Sequence, residues 1–405
     1  MIDVSTPASV RFAVVGVPGN RRVEMFAEAV RAAGLDTPLV VPWLEVLTPG
    51  AADRPVLPPG CLVRVDSPGE DEAVDRLLRG EALGGGWAPT RVEGGAAWYA
   101  GFRSGLRTLA DAVAATPDCR LLADPDDIAV MFDKRLTHAR LAAADVPVPP
   151  VLLQGAGGVS GWEELRQLLR EQRMPRVFVK PAHGSSGSGV VALELGPDGQ
   201  ATATTSAQLT TTADGAVELF NSLRVRRYRD ESELRALFDA LASERLHVER
   251  WLPKAAQGGR PADLRVVVTA GRATHLVVRT SSHPMTNLHL GGSRGDVAQL
   301  REAVGARWSA LLETAEQAAA CFPGSPSVGV DILPATGWQR FRVGEVNAFG
   351  DLLPGLTGLP GSGAEGLDTY AAFVTATTSR LAATPSTSHT GIPRTTTHRE
   401  LIPCP

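Results

Sequence analysis

Lysine is almost missing from this chain. Of its 40 basic residues only Lys134, Lys180 and Lys254 are lysine, and arginine fills every other basic position. Such a bias draws attention to each retained lysine, because a compact ammonium does some things that a planar guanidinium cannot. Cysteine is scarce too. Cys61, Cys119, Cys321 and Cys404 lie far apart without a CxxC pair, which argues against a disulfide framework or a structural zinc site. A formal net charge of −4 offers no general attraction to phosphate backbones or anionic membranes, so nucleic acid is not an expected partner and any anion site must be local. No uninterrupted apolar run approaches the roughly 18 residues of a membrane span, and residues 1–10 lack signal-peptide character. No membrane association is expected, and the cytoplasm is the expected compartment. What remains, 405 residues at 43% hydrophobic content, is a globular chain with room for two or three domains and for an enzyme.

Residues 11 to about 122 read as a modest α/β domain. "RFAVVGVPGN" followed by "RRVEMFAEAVRAAG" gives strand, turn and helix, with Val23, Phe26, Ala27 and Val30 on one face and Gly34 to end it. The turn "GVPGN" could receive a ligand at a helix N-terminus but lacks a dinucleotide fingerprint and reads first as structural. "LVVPWLEVL" suggests the next strand and turn. Asp124 before Pro125 is a helix start, Asp133 is a second, and the prolines from Pro147 to Pro150 close that segment. Later helices are expected over "ESELRALFDALASE", over residues 297–321, and around Leu367, Tyr370, Ala371 and Val374. Beyond about residue 383 the polar, threonine- and proline-rich sequence is expected to be disordered.

Between two strand-like stretches, "VFVK" and "GVVALEL", lies a loop of glycine and serine. It does not have the GxxxxGK[ST]-to-helix pattern of a P-loop. Small residues at a hairpin tip leave backbone N–H groups free to curl around an anion. Lys180 on the incoming strand adds a point charge, worth about 4 kcal/mol per charge pair at an effective dielectric near 20. Downstream, "VGVDILPATGWQRFRVGEVNAFG" reads as a hairpin with Glu345 and Asn347 on one face and Asp331 on the partner strand. Two carboxylates and a carboxamide are hard oxygen donors suited to Mg²⁺, which keeps other positions for water and phosphate. A further hairpin, "DLRVVVTAGRATHLVVRT", puts Asp263 and Arg265 on one face and Arg279 at its end. A polar loop with Asn287, His289 and Arg294 follows. Arginines converging there could stabilise charge on a transferring phosphoryl group.

Taken in order, "DK", "VKP..GSSG.GV", "VERWLP", "DLRVVV", "TNLHLGG", "GVDIL" and "EVNA" resemble the ATP-grasp superfamily, most of all its ribosomal-protein glutamate ligase group, over roughly residues 123–360. The resemblance implies an α/β (α+β) fold, with an N-terminal α/β pre-ATP-grasp-like domain (1–122), a central subdomain with a glycine/serine flap (123–252) and a C-terminal subdomain with a metal site (253–382), then the tail (383–405). It implies ATP bound between the subdomains: Lys134 and Lys180 on phosphate, Ser185, Ser186 and Gly187 as the flap, Glu249, Arg250 and Leu252 along adenine, and Asp263 on ribose. Asp331, Glu345 and Asn347 would hold one or two Mg²⁺, with Mn²⁺ as a substitute, and Arg279 and Arg294 would lie near the transferring phosphate. Lys254 has no counterpart and is expected on the surface, and His183 is expected to be incidental. "AFGDLLPG" after Asn347 departs from the glutamate ligases, so their substrate does not carry over. The expected reaction joins a carboxylate to an amine on a small molecule or peptide, through an acyl phosphate. A small-molecule kinase and a non-catalytic nucleotide-binding regulator are the rivals. A homodimer is compatible with everything above.

Overall fold

The computed structural model describes residues 10–48, 55–81, 90–155, 157–184, 187–212, 215–286, 288, 291–350 and 353–383. The tail and both flap serines, Ser185 and Ser186, lie outside these, as do Asn287 and His289.

The N-terminal part alternates strand and helix: β1 (Arg11–Gly16), α1 (Arg21–Ala32), β2 (Leu39–Pro42), α2 (Trp43–Leu47), β3 (Cys61–Val65), α3 (Glu72–Arg79), α4 (Gly95–Ala114) and β4 (Arg120–Leu121). Its four strands form a parallel sheet in the order β2-β1-β3-β4. Asn20 caps α1 through its side chain, and Val23, Phe26, Ala27 and Val30 are buried, as their spacing requires. "WLEVL" is a helix where a turn was expected. Trp43 and Val46 are buried along it, so packing overrides the preceding proline as a turn signal.

Two short helices follow, α5 (Pro125–Met131) and α6 (Lys134–Ala143), capped by Asp124 and Asp133. Then come α7 (Trp162–Glu171), β5 (Arg176–Pro181), β6 (Val191–Leu195), β7 (Ala201–Thr211), β8 (Val217–Tyr228), α8 (Glu231–Ala242) and β9 (Leu246–Arg250). The strands make an antiparallel sheet, β8-β7-β6-β5-β9. The glycine-serine loop joins neighbouring strands β5 and β6, paired from Arg176 with Glu194 to Val179 with Val191.

The last part holds β10 (Ala256–Gln257), β11 (Arg260–Thr269), β12 (Arg272–Thr280), β13 (Ser293–Arg294), α9 (Val297–Val304), α10 (Trp308–Ala320), β14 (Ser327–Pro334), β15 (Phe341–Asn347) and α11 (Thr369–Ala383). The sheet order is β13-β12-β11-β14-β15, and β10 pairs with β11. The expected single helix over 297–321 is two, separated by a 3₁₀ turn at Gly305–Arg307. Gly305 takes φ of +56°, a backbone region that favours glycine, and ends α9 there, while the apolar face resumes in α10.

Packing divides these elements in an informative way. One core runs from the N-terminal sheet (Ala13, Val63) through α5 and α6 (Ile128, Leu141) into the last sheet (Leu264, Val330). The sheet β5–β9 with α7 and α8 has its own core, around Trp162, Leu165, Leu237 and Phe238. Helix α11 returns to the beginning of the chain, where Tyr370, Phe373 and Val374 pack against Phe12, Val14 and Phe26. Among the described residues no helix is long and apolar enough to cross a membrane.

Candidate active site

A cavity of about 590 Å³ opens between the sheet of β5 and β9 and the sheet of β11 to β15. Each element delivers a particular group to it. Lys134 is the first helical residue of α6, so the cap on Asp133 fixes where its side chain leaves the backbone. Its ammonium lies 3.0 Å from Glu345 Oε1 on β15 and also donates to the carbonyl of Gly184, at the root of the flap. Lys180 extends from β5 to within 2.5 Å of Glu249 Oε1 on the adjacent strand β9. On the other wall, the register of β14 and β15 sets Asp331 directly opposite Glu345, while Asn347 pairs with Gly329. Arg279 on β12 donates to Asp263 at 2.7 Å and reaches Asp331 at 3.0 Å. Arg265 on β11 grips both oxygens of Asp331.

The described residues singled out from the sequence all line this one cavity: Lys134, Lys180, Gly187, Glu249, Arg250, Leu252, Asp263, Arg279, Arg294, Asp331, Glu345 and Asn347. Residues 131–323 match the family model described as YheC/D like ATP-grasp. Among solved structures, the D-cycloserine synthetase DcsG superposes with a TM-score of 0.53 at 16% identity, over 91% of this chain and 99% of that one. The chain has the ATP-grasp fold. Also similar are the ATP-grasp ligase PsnB complexed with a phosphomimetic variant of minimal precursor, Mg and ADP (TM-score 0.48, 16% identity, 92% of this chain and 99% of that one), and an ATP-grasp RimK domain protein from Sphaerobacter thermophilus (0.45, 16%, 90% and 98%). No curated protein matches the sequence.

The electrostatics of the ATP-grasp cleft follow from burial set against pairing. Burial alone would raise the Glu249 carboxyl, but the Lys180 charge and the His247 contact outweigh it and hold the group at about 2. Asp331 is likewise pushed up by burial and pulled well below the carboxylate range by Arg265 and Arg279. Lys180 is opposed by its burial, yet Glu249, Glu345 and Asp331 raise it, so it stays charged. Both acids have depressed folded values, so their stabilisation is complete above the ordinary carboxylate value near 4 and is lost as pH falls through about 2. The melting temperature is therefore expected to hold steady between about pH 7 and 5 and to fall steeply below about pH 4. Thermal melts across that range check it, and a flat profile down to pH 3 would refute the assignment.

The oxygen donors fit a divalent cation. Among the described residues no group of three His, Cys, Asp or Glu is placed to hold a metal ion, so a cation here rests on two carboxylates and an amide. That is the sparse, hard donor set Mg²⁺ accepts when phosphate oxygens complete its shell. Asn347 donates its amide N–H to the Gly329 carbonyl at 3.2 Å, which leaves its side-chain oxygen as the free acceptor.

Several cavity residues were not singled out from the sequence. Lys254, expected on the surface, has a side chain only 9% exposed and lies within the cleft, 4.0 Å from Asp263. Asn20, Arg22, Ser67 and Glu70 form a far wall from the N-terminal domain. There Asn20 Nδ2 donates to Glu70 at 2.8 Å, joining the β1–α1 turn to the β3–α3 loop. The sequence hint was the "GVPGN" turn, read as structural. His183 does not line the cavity. It stacks on Tyr99 at 4.1 Å and contacts Asp133 at 3.1 Å, behind the flap.

Proposed function

We infer that this protein is an ATP- and Mg²⁺-dependent carboxylate–amine ligase that forms an amide through an acyl phosphate and releases ADP and phosphate. The observation that supports it most is convergence. Two lysines from separately packed units meet two carboxylates, an amide and two arginines on one cavity.

In this reading Lys134 and Lys180 hold the phosphates, and Gly187, at φ of +76°, belongs to a loop that brings backbone N–H groups over them. Glu249, Arg250 and Leu252 run along the base and Asp263 meets the ribose. Asp331, Glu345 and Asn347 would hold Mg²⁺, which would supply neutralisation of the γ-phosphoryl charge. A substrate carboxylate oxygen takes that phosphoryl group and ADP leaves. An amine nitrogen then attacks the acyl carbon and phosphate leaves. Arg279 and Arg294 stabilise the charge in transit, and no protein nucleophile is required. The N-terminal wall of Asn20, Arg22, Ser67 and Glu70 faces the side where the acid and amine enter, which suits a small polar molecule or the end of a peptide.

The test is ATP turnover with Mg²⁺ and hydroxylamine across a panel of amino acids and small dicarboxylates. Hydroxamate together with phosphate is expected for at least one acid. A stable phosphorylated product without hydroxamate would make the protein a kinase, and tight ATP binding without any turnover would make it a regulator.

A further inference from the structure

All three lysines of the chain, Lys134, Lys180 and Lys254, line the same cavity. Lys254 follows β9, where it makes an isolated bridge with Ala335. Its ammonium donates to the Pro284 carbonyl at 3.2 Å and to Thr286 Oγ1 at 3.1 Å. Thr286 in turn donates to Asp263, whose other oxygen accepts from Arg279. A structural tie between Lys254 and the 284–286 segment accounts for the hydrogen bonds. It does not account for the charge.

The four carboxylates nearest Lys254 each have a closer cation. Glu249 has Lys180 at 2.5 Å, Glu345 has Lys134 at 3.0 Å, Asp263 has Arg279 at 2.7 Å, and Asp331 has both Arg265 and Arg279. Lys254 reaches only Asp263, and at 4.0 Å it is the longest ion pair of the set. Burial, with Arg279 and Lys180 close by, also disfavours its charged form. A neutral donor would tie the segment without that cost. We propose that Lys254 is a nucleotide-binding residue, a surplus buried cation of the cleft, whose ammonium is balanced by the phosphates of the bound nucleotide. Its partners, one carbonyl and one hydroxyl two residues apart, suit a compact ammonium rather than the planar fork of arginine.

The proposal rests on the nucleotide reading of the cleft, and the experiment separates the two. Titration calorimetry of the full chain compares ADP with Mg²⁺ against adenosine, in wild type, Lys254→Gln and Lys254→Met, with melting temperatures measured alongside. Lys254→Gln keeps a donor for Pro284 and drops the charge. Both variants are expected to lose about tenfold or more in ADP affinity and to bind adenosine as wild type does, and Lys254→Arg is expected not to recover the loss. If Lys254→Gln binds ADP as tightly as wild type, or if ADP and adenosine weaken equally, the role is structural and the proposal falls. If wild type itself binds neither ligand, the nucleotide reading falls instead.

Discussion

Replacing Lys180 with alanine is expected to lower ATP turnover by about 10²–10³-fold, the scale of losing one preorganised donor aimed at charge that develops in a transition state. The same change should also lower stability. Lys180 and Glu249 are 15% and 3% exposed, and removing one member of a buried pair leaves an uncompensated charge at a cost of about 3–5 kcal/mol. The two effects separate in the double variant Lys180→Met, Glu249→Gln. It should regain most of the lost stability in denaturant melts, because no charge remains stranded, and should stay inactive. Recovered turnover in that variant would remove Lys180 from the chemistry.

The second large effect is expected at Asp331. This carboxylate sits on β14 with Arg265 and Arg279 reaching it from β11 and β12, so three strands depend on its charge. Asp331→Asn removes the buried charge that Arg265 and Arg279 share, and about 3–5 kcal/mol of stability should be lost with the activity. Glu345 provides the contrast. Its side chain is 31% exposed, so Glu345→Gln should abolish turnover and shift the denaturation midpoint less, since the amide oxygen can still accept from Lys134, which also keeps the Gly184 carbonyl. Parallel urea melts and turnover assays on the two variants check this. Equal destabilisation would mean that Glu345 is a structural acid rather than part of a cation site.

Much of the candidate site was legible because its residues lie on strands with clear alternation. "VFVK", "DLRVVV", "GVDIL" and "GEVN" each place one or two polar residues at fixed offsets within an apolar run, and pairing of β11, β14 and β15 brings the offsets of the last three to a common face. Lys254 was not legible for the converse reason. "WLPKAAQ" is irregular, so no period says which way its side chain points, and only the fold around the 284–286 segment encloses it. The far wall was hidden by distance along the chain, since Asn20 and Glu70 meet through two turns that no spacing rule connects. Cys61 and Cys119 give a similar case. They are widely separated in sequence, yet their sulfurs are 2.9 Å apart because β3 and β4 run side by side. The break at Gly305 escaped because the apolar residues of α9 and α10 keep to one side across it.

The division into two cores has a consequence for how affinity is built. Lys134, Asp263, Arg279, Asp331 and Glu345 stand on elements of the larger core, while Lys180 and Glu249 stand on elements of the smaller one. Each unit therefore presents half of an anion receptor, and neither half is complete without the other. A ligand that touches both becomes a crosslink across the seam, and its binding energy adds directly to the cohesion of the whole chain.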